Sequence, residues 1–433
     1  MDCIKPLTSE DRFYGWKNAW LLFFIYMAAT GFVFYAYTVV FPEMVAVTGW
    51  NRGDASIASS ISMLMMGFLV PLVAVILNRI GSRLTILTGL IILFAGLLLL
   101  GTVRIRMWHW IVLWGVIIPA GVGLCGFFPV QMTVMSWFAR KRATALGFVM
   151  TGAALGGFIA QPLYTWVIAN TGDWQMGWRL SAGIVFGALI LSYWVKGKPA
   201  DIGQVPDGVD PQALKTVKDL TGTRREIYRT TTSWQVREVF RTSTIWCIIG
   251  VMITQGSTTI LINTHGILHI TDLGYSSMQA ASVLMLVILG SGFGRFPMGW
   301  LGDRIEPRRI AFVTLVFMLA SFIGFWRAPN FTSLLVFGPL FGICYGTILV
   351  MISTMIANYF GPDSYVKISA CISPFLTILG ATVPTASGYA ADRLGSYDLP
   401  FGILTGVILS AVVFSLLISP PRKAGRQNRQ PHI

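Results

Sequence analysis

The amino-acid sequence predicts an all-α integral membrane protein, with twelve transmembrane helices forming two pseudo-symmetric six-helix bundles. Three observations carry this. The 433 residues are 55% hydrophobic and only 12% charged, and their mean hydropathy of +0.68 is far too apolar for a soluble protein of this size. Apolar runs of membrane-spanning length recur along the chain, separated by short polar punctuation. Two loops of the first half also return in the second at nearly one spacing.

The first apolar run, 19–41, follows a polar stretch and has no small-residue cleavage site after it. It is too long for a signal-peptide core and is read as the first span. Further spans are expected near 55–77, 84–103, 108–135, 143–168 and 179–196. A second set follows near 244–268, 277–301, 309–327, 333–358, 367–390 and 398–419. Residues 197–241 form the one long polar stretch, with Pro199, Pro206, Pro211 and the basic residues Arg224, Arg225 and Arg229. The expected domains are therefore an N-terminal bundle (1–196), a linker (197–241), a C-terminal bundle (242–420) and a tail (421–433).

Asn78-Arg79-Ile80-Gly81-Ser82-Arg83 after span 2 corresponds to Asp303-Arg304-Ile305-Glu306-Pro307-Arg308 after span 8, an offset of 225. Ser136-Trp137-Phe138 after span 4 echoes Asn358-Tyr359-Phe360 after span 10, an offset of 222. A duplicated six-helix unit accounts for both, and duplicated halves meeting at a midplane site are a transporter design.

Charge placement fixes the expected orientation. Of the 32 Lys and Arg, 25 fall on the side of the linker and both termini and 5 on the other. The positive-inside tendency then places both termini in the cytoplasm and the protein in the cytoplasmic (inner) membrane. The net charge of +14 does not indicate nucleic acid, because the cations lie between apolar runs and not on one soluble face. The five cysteines, Cys3, Cys125, Cys247, Cys344 and Cys371, show no CxxC and no metal-type spacing with His109, His265, His269 or His432. No disulfide, metal or cofactor is expected. Nor is an enzyme, since there is no phosphate loop, nucleophile elbow or paired acid and base.

Gly299-Trp300-Leu301-Gly302-Asp303-Arg304, followed by Arg308 and Arg309, resembles the G-x-x-x-D-R-x-G-R-R loop motif of the major facilitator superfamily. The N-terminal copy departs from it, with Asn78 at the Asp position beside Arg79. The resemblance implies a gating latch at Asp303, Arg304 and Arg308 that holds neighbouring helices in one conformation and releases them in another. The alternative is that these charges only set topology.

Within that superfamily the chain resembles the monocarboxylate transporter group and its bacterial relatives, including oxalate/formate exchangers. Tyr14-Gly15-Trp16, Gly49-Trp50-Asn51-Arg52 and Trp137-Phe138-Ala139-Arg140-Lys141-Arg142 carry the likeness. So do Pro199 to Gly203 with Pro206-Asp207-Gly208, and Pro384 to Gly388 with Asp392 and Gly395-Ser396-Tyr397. Gly147, Gly152 and Gly156 also fit that group, and their helical spacing lets span 5 approach a neighbour closely.

Arg295 is the one charge placed deep in a span, and intramembrane charges are costly and usually functional. It lies eight residues before Asp303, about 12 Å up the helix axis. Ser291, Gly292 and Gly299 make its helix face small, which is expected to leave room for a cavity where the guanidinium holds a carboxylate by two hydrogen bonds. The alternative is an inter-helix or carbonyl-bound arginine. The resemblance aligns Arg295 with the eighth-helix arginine taken to bind substrate carboxylate. Span 7 adds a polar stripe of Gln255, Thr258 and His265, with Asn263 and His269 nearby. Tyr35, Tyr37, Gln131, Gln161, Tyr345, Ser373 and Thr377 are uncharged candidates for lining the same cavity, or packing residues.

Two departures from the better-known eukaryotic members concern coupling. Ser291 stands where they carry an eighth-helix aspartate, and Thr38 where they carry a first-helix lysine. His265, Asp272 and Glu43 are the remaining candidates for a proton carrier, His265 also being an ordinary hydrogen-bonded histidine on the alternative reading.

The expected function is secondary active transport of a small organic monocarboxylate by alternating access, coupled to protons or run as exchange against a counter-anion. Efflux of an amphiphilic compound, in keeping with 28 Phe, 18 Met and 15 Trp, and a transporter-like sensor are the rivals. A monomer in the lipid bilayer is expected, with no nucleic-acid partner.

Overall fold

A computed structural model describes residues 13–50, 52–208, 227–230 and 234–421. The expectations placed on Cys3, Asn51, Pro211, Arg224, Arg225 and His432, and on the tail beyond residue 421, lie outside the described residues.

The described chain forms twelve spans. The N-terminal half holds α1 (Gly15–Thr48), α2 (52–80), α3 (82–102), α4 (Met107–Trp137), α5 (Arg142–Thr171) and α6 (Gln175–Ser192). The C-terminal half holds α7 (Ser243–Asp272), α8 (Ser277–Gly302), α9 (Pro307–Trp326), α10 (Phe331–Phe360), α11 (Pro362–Leu394) and α12 (Asp398–Leu417). Ten described helices are long and apolar enough to cross a membrane. One of them is a continuous stretch that contains both α2 and α3. It reverses at Gly81, whose φ of 78° is a left-handed conformation that only glycine adopts without strain. The α6 helix, with Arg179 in its first turns, completes the twelve.

Several helices, α1, α5, α7 and α11 among them, end later than the expected apolar runs, because the backbone continues helically until a stop residue, whereas α6 ends at Ser192 and α12 at Leu417, before the expected limits. For α5 that stop is Gly172, in the left-handed region at φ 65°, after 30 helical residues. Two spans depart from α geometry inside the bundle. In α1, residues Met27–Phe32 form a π-helical turn, as do Leu113–Ile117 in α4, which breaks again at Gly126. Such turns are often found at functional sites.

Lipid gives helices no hydrophobic reason to associate, so close backbone approach must hold them together. On α8 the glycines divide by face. Gly290 and Gly294 lie against the Pro339 and Ile343 carbonyls of α10, which answers with Gly342 and Gly346 against the Val287 and Ser291 carbonyls. On another face, Gly292 meets Thr151 and Ala154 of α5, and Gly299 meets Ala143. The small face around Arg295 is thus filled by α5, a correction to the expected cavity along it. Gly147 returns the contact against the Arg295 backbone, while Gly152 and Gly156 face Phe23 and Met27 of α1. The packing reading of these three glycines fits what the helices do.

Candidate functional site

Arg295 is 5% exposed in the interior of the bundle, where α8 meets α5. Its Nη1 donates to the Met150 carbonyl of α5 at 2.6 Å, and its buried Nε has no partner among the described residues. The guanidinium lies 5.7 Å from the centre of the Tyr345 ring of α10. Tyr26 and Tyr35 of α1 are within electrostatic reach of the same cation. One arginine, partly committed to a carbonyl, beside the Tyr345 ring and within electrostatic reach of the Tyr26 and Tyr35 phenols, is what the structure assembles. The carbonyl-bound alternative therefore describes one edge of the guanidinium, and the Nε edge remains for another acceptor.

The other expected lining residues divide by height. Gln131 is fully buried near the linker end, donating to Ser353 Oγ at 3.1 Å and accepting from the Tyr365 hydroxyl, both across the two halves. Gln161, Gln255 and Ser373 are half-buried in α5, α7 and α11. Thr377 packs against Gly67 of α2. Tyr37 accepts a hydrogen bond from Ser59 at 2.7 Å and stacks on Trp114 and Phe41, so it belongs to an aromatic wall of the N-terminal half.

His265 lies 22 residues along α7 from Ser243, about 33 Å from the linker end, whereas Arg295 is about 12 Å from it. The two do not meet. His265 bridges Tyr397 Oη (3.1 Å from Nδ1) and the Pro384 carbonyl (3.0 Å from Nε2). A carbonyl only accepts, so Nε2 carries the proton, and in the neutral ring Nδ1 accepts from the Tyr397 hydroxyl. Asn263, Glu43 and Asp272 are exposed at that same far end.

At the linker end the gating residues separate into two groups. Asp303 Oδ1 accepts the Ala143 N–H at 3.0 Å and Oδ2 the Thr144 N–H at 2.8 Å, so it caps the start of α5 from the opposite half. Burial raises its carboxyl above the ordinary carboxylate value, while Thr144 and Ala143 pull it back. Arg304 is not its partner: the guanidinium sits 3.5 Å over the Trp300 ring. Arg308 donates to the Ile418 carbonyl at 3.0 Å, and Asn78 and Arg79 are exposed.

Asp207 was not singled out by spacing or charge, yet it accepts the N–H groups of Ala139, Arg140 and Lys141 at 3.0, 2.5 and 3.4 Å. Two carboxylates therefore hold five amides of one loop and helix start. Between them buried Arg142 donates to Asn358 Oδ1 at 2.9 Å. The described hydrogen bonds between the halves all lie between this end and the level of Thr151, which donates to the Gly292 carbonyl at 3.3 Å.

A family model described as the Major Facilitator Superfamily matches residues 21–294 and 247–432. The chain belongs to the major facilitator superfamily. It is a multi-pass membrane transporter built from two repeated halves. Monocarboxylate transporter 13 of Rattus norvegicus is 24% identical over 411 residues, 93% of this chain and 88% of that protein. Monocarboxylate transporter 12 of Homo sapiens is 23% identical over 420 residues, 91% and 78% of the two chains. These relatives bear out the likeness to the monocarboxylate transporter group. A crystal structure of the E. coli fucose:proton symporter superposes with a TM-score of 0.71 at 16% identity, covering 94% of this chain and 100% of that one.

Tyr26 is a neighbour of Arg295 that sequence reasoning missed, because one tyrosine in an aromatic-rich first span carries no spacing signal. Asp207 had a signal, the Pro-Asp-Gly turn, which predicts a bend but not what its carboxylate caps.

Proposed function

We propose that this transporter moves a small organic monocarboxylate across the cytoplasmic membrane by alternating access, with Arg295 holding the carboxylate. The observation that carries the reading is a buried guanidinium whose Nε has no partner among the described residues, beside Tyr26, Tyr35 and Tyr345. An unpaired buried donor on a cation is costly, and an anionic ligand there removes the cost. A single guanidinium suits a single carboxylate; a second would need its own cation. The names of the relatives point the same way.

With the linker end cytoplasmic by the positive-inside tendency, the hydrogen-bonded closure at Asp303, Gln131 and Arg142 corresponds to a state shut towards the cytoplasm. Opening that end requires these bonds to break together, which is the two-state element alternating access needs. Exchange against a counter-anion is favoured as the second reading by Ser291, a neutral residue four positions before Arg295 whose hydroxyl is bonded to the Ile288 carbonyl.

The test is uptake of labelled lactate, pyruvate, acetate and oxalate into proteoliposomes with and without an inside-alkaline pH gradient, comparing wild type with Arg295→Ala. Gradient-stimulated uptake of one acid that is lost in the variant supports proton-linked symport. Uptake seen only with internal anion supports exchange. Normal transport by Arg295→Ala rejects Arg295 as the carboxylate site.

A further inference from the structure

A second charged site lies away from the bundle interior. At the linker end of the C-terminal half, a cleft of about 290 Å³ is bounded by Ile227, Tyr228, Arg304, Ile305, Glu306, Arg308, Arg309 and Pro420. Among the described residues its one carboxylate is already engaged. Glu306 Oε1 accepts the Tyr359 hydroxyl at 2.8 Å and Oε2 the Tyr228 N–H at 3.3 Å. The three arginines of the cleft therefore outweigh it, and each is held differently. Arg308 is braced on the Ile418 carbonyl, Arg304 sits 3.5 Å over the Trp300 ring, and Arg309 is exposed. The Trp300 indole is 45% exposed at the end of a membrane helix, the level at which tryptophans sit at a bilayer surface.

We propose that this cleft binds a phosphate-bearing anion, presented by the headgroup of an anionic phospholipid. Guanidinium forks match phosphate oxygens in geometry and charge. Trp300 and Ile305 continue the cleft towards lipid as an exposed apolar margin. A bound phosphate would join Tyr228 of the linker to the α8–α9 loop that carries Asp303. The site does not depend on which solute the transporter carries.

The experiment uses the full chain in nanodiscs of phosphatidylcholine into which phosphatidylglycerol is titrated, with retained lipid read by native mass spectrometry and the melting midpoint followed in parallel. Wild type is expected to retain phosphatidylglycerol and to melt higher with it. Arg304→Gln/Arg309→Gln is expected to weaken that retention by roughly 25-fold, at about fivefold per surface cation. Arg308 is left intact because it braces Ile418. Arg79→Gln/Arg83→Gln, which removes two arginines from the corresponding loop of the other half, is expected to retain the lipid as wild type does. Arg304→Lys/Arg309→Lys keeps the charge without the forks and is expected to fall between, with a fold preserved if the glutamine variant unfolds. Glycerol 3-phosphate displacing the lipid at matching affinity would support the cleft and identify a soluble phosphate as its source. Equal retention in Arg304→Gln/Arg309→Gln, or an equal loss in Arg79→Gln/Arg83→Gln, would overturn the proposal.

Discussion

Asp303 and Thr144 are joined across the two halves, the carboxylate of one helix end accepting the N–H of the other at 2.8 Å. With the Ala143 N–H on its second oxygen, Asp303 does for α5 what an N-cap side chain does within a single helix. The negative charge also faces the positive end of the α5 dipole. Because donor and acceptor belong to different halves, this cap exists only while the linker end is closed.

Asp303→Ala is expected to weaken that closure by about 1–2 kcal/mol, the usual cost of removing a cap, or roughly 5- to 30-fold in the equilibrium. Asp303→Asn should lie close to it, since its amide nitrogen meets an N–H with another donor. Spin labels at exposed Lys141 and Ile305 read the separation of the halves. A distance distribution identical to that of wild type would remove Asp303 as a latch.

Asp207 holds the same loop from the linker side, so its loss should act locally. Asp207→Ala frees the amides of 139–141, whose hydrogen bonds to a charged acceptor contribute about 1.5–3 kcal/mol each in favourable cases. Amide hydrogen exchange across 139–141 is expected to quicken by tenfold or more, with α10 little changed. Unchanged exchange would show that the carboxylate adds nothing to the fold of the loop.

The two-bundle fold was legible because lipid forces it. A chain that must satisfy its own backbone in hydrocarbon writes each span as an apolar run of nearly fixed length, and duplication left the Asn78 and Asp303 loops 225 residues apart. Arg295 was legible for the same reason: a charge in such a run stands out. The expected cavity beside it was misplaced because Gly292 and Gly299 state only that something comes close. Whether that is ligand or the backbone of α5 is decided by a helix nearly 150 residues away in sequence. Likewise Gln131 reads as a polar residue in a span whether it faces solute or Ser353 and Tyr365. The separation of His265 from Arg295 follows from counting the helical rise, but the two bonds that occupy its ring depend on α11 and the α11–α12 turn.

His265 is expected to behave as a structural bridge. His265→Ala removes the ring's bonds to Tyr397 Oη and the Pro384 carbonyl and should lower stability by about 1–3 kcal/mol, read as a drop in melting midpoint in detergent. The pH profile of uptake measured with His265→Gln should match that of wild type, because a ring held between a carbonyl and a phenol far from the Arg295 level is not positioned to pass a proton to bound solute. Loss of pH dependence with stability retained would instead make His265 the coupling group.

Arg295→Lys separates charge from geometry at the interior site. The guanidinium reaches the Met150 carbonyl with Nη1 while its Nε points elsewhere, so one planar group can serve the protein and a carboxylate together. An ammonium presents its three donors from one atom at the end of a flexible stem and cannot reproduce that division. Losing a two-bond charged contact costs about 1.5–3 kcal/mol, so KM for the transported acid is expected to rise roughly 10- to 150-fold with the maximal rate changed less. Arg295→Ala should abolish saturable uptake altogether. If lysine restores wild-type KM, charge alone suffices at this position and the fork geometry plays no part in recognising the solute.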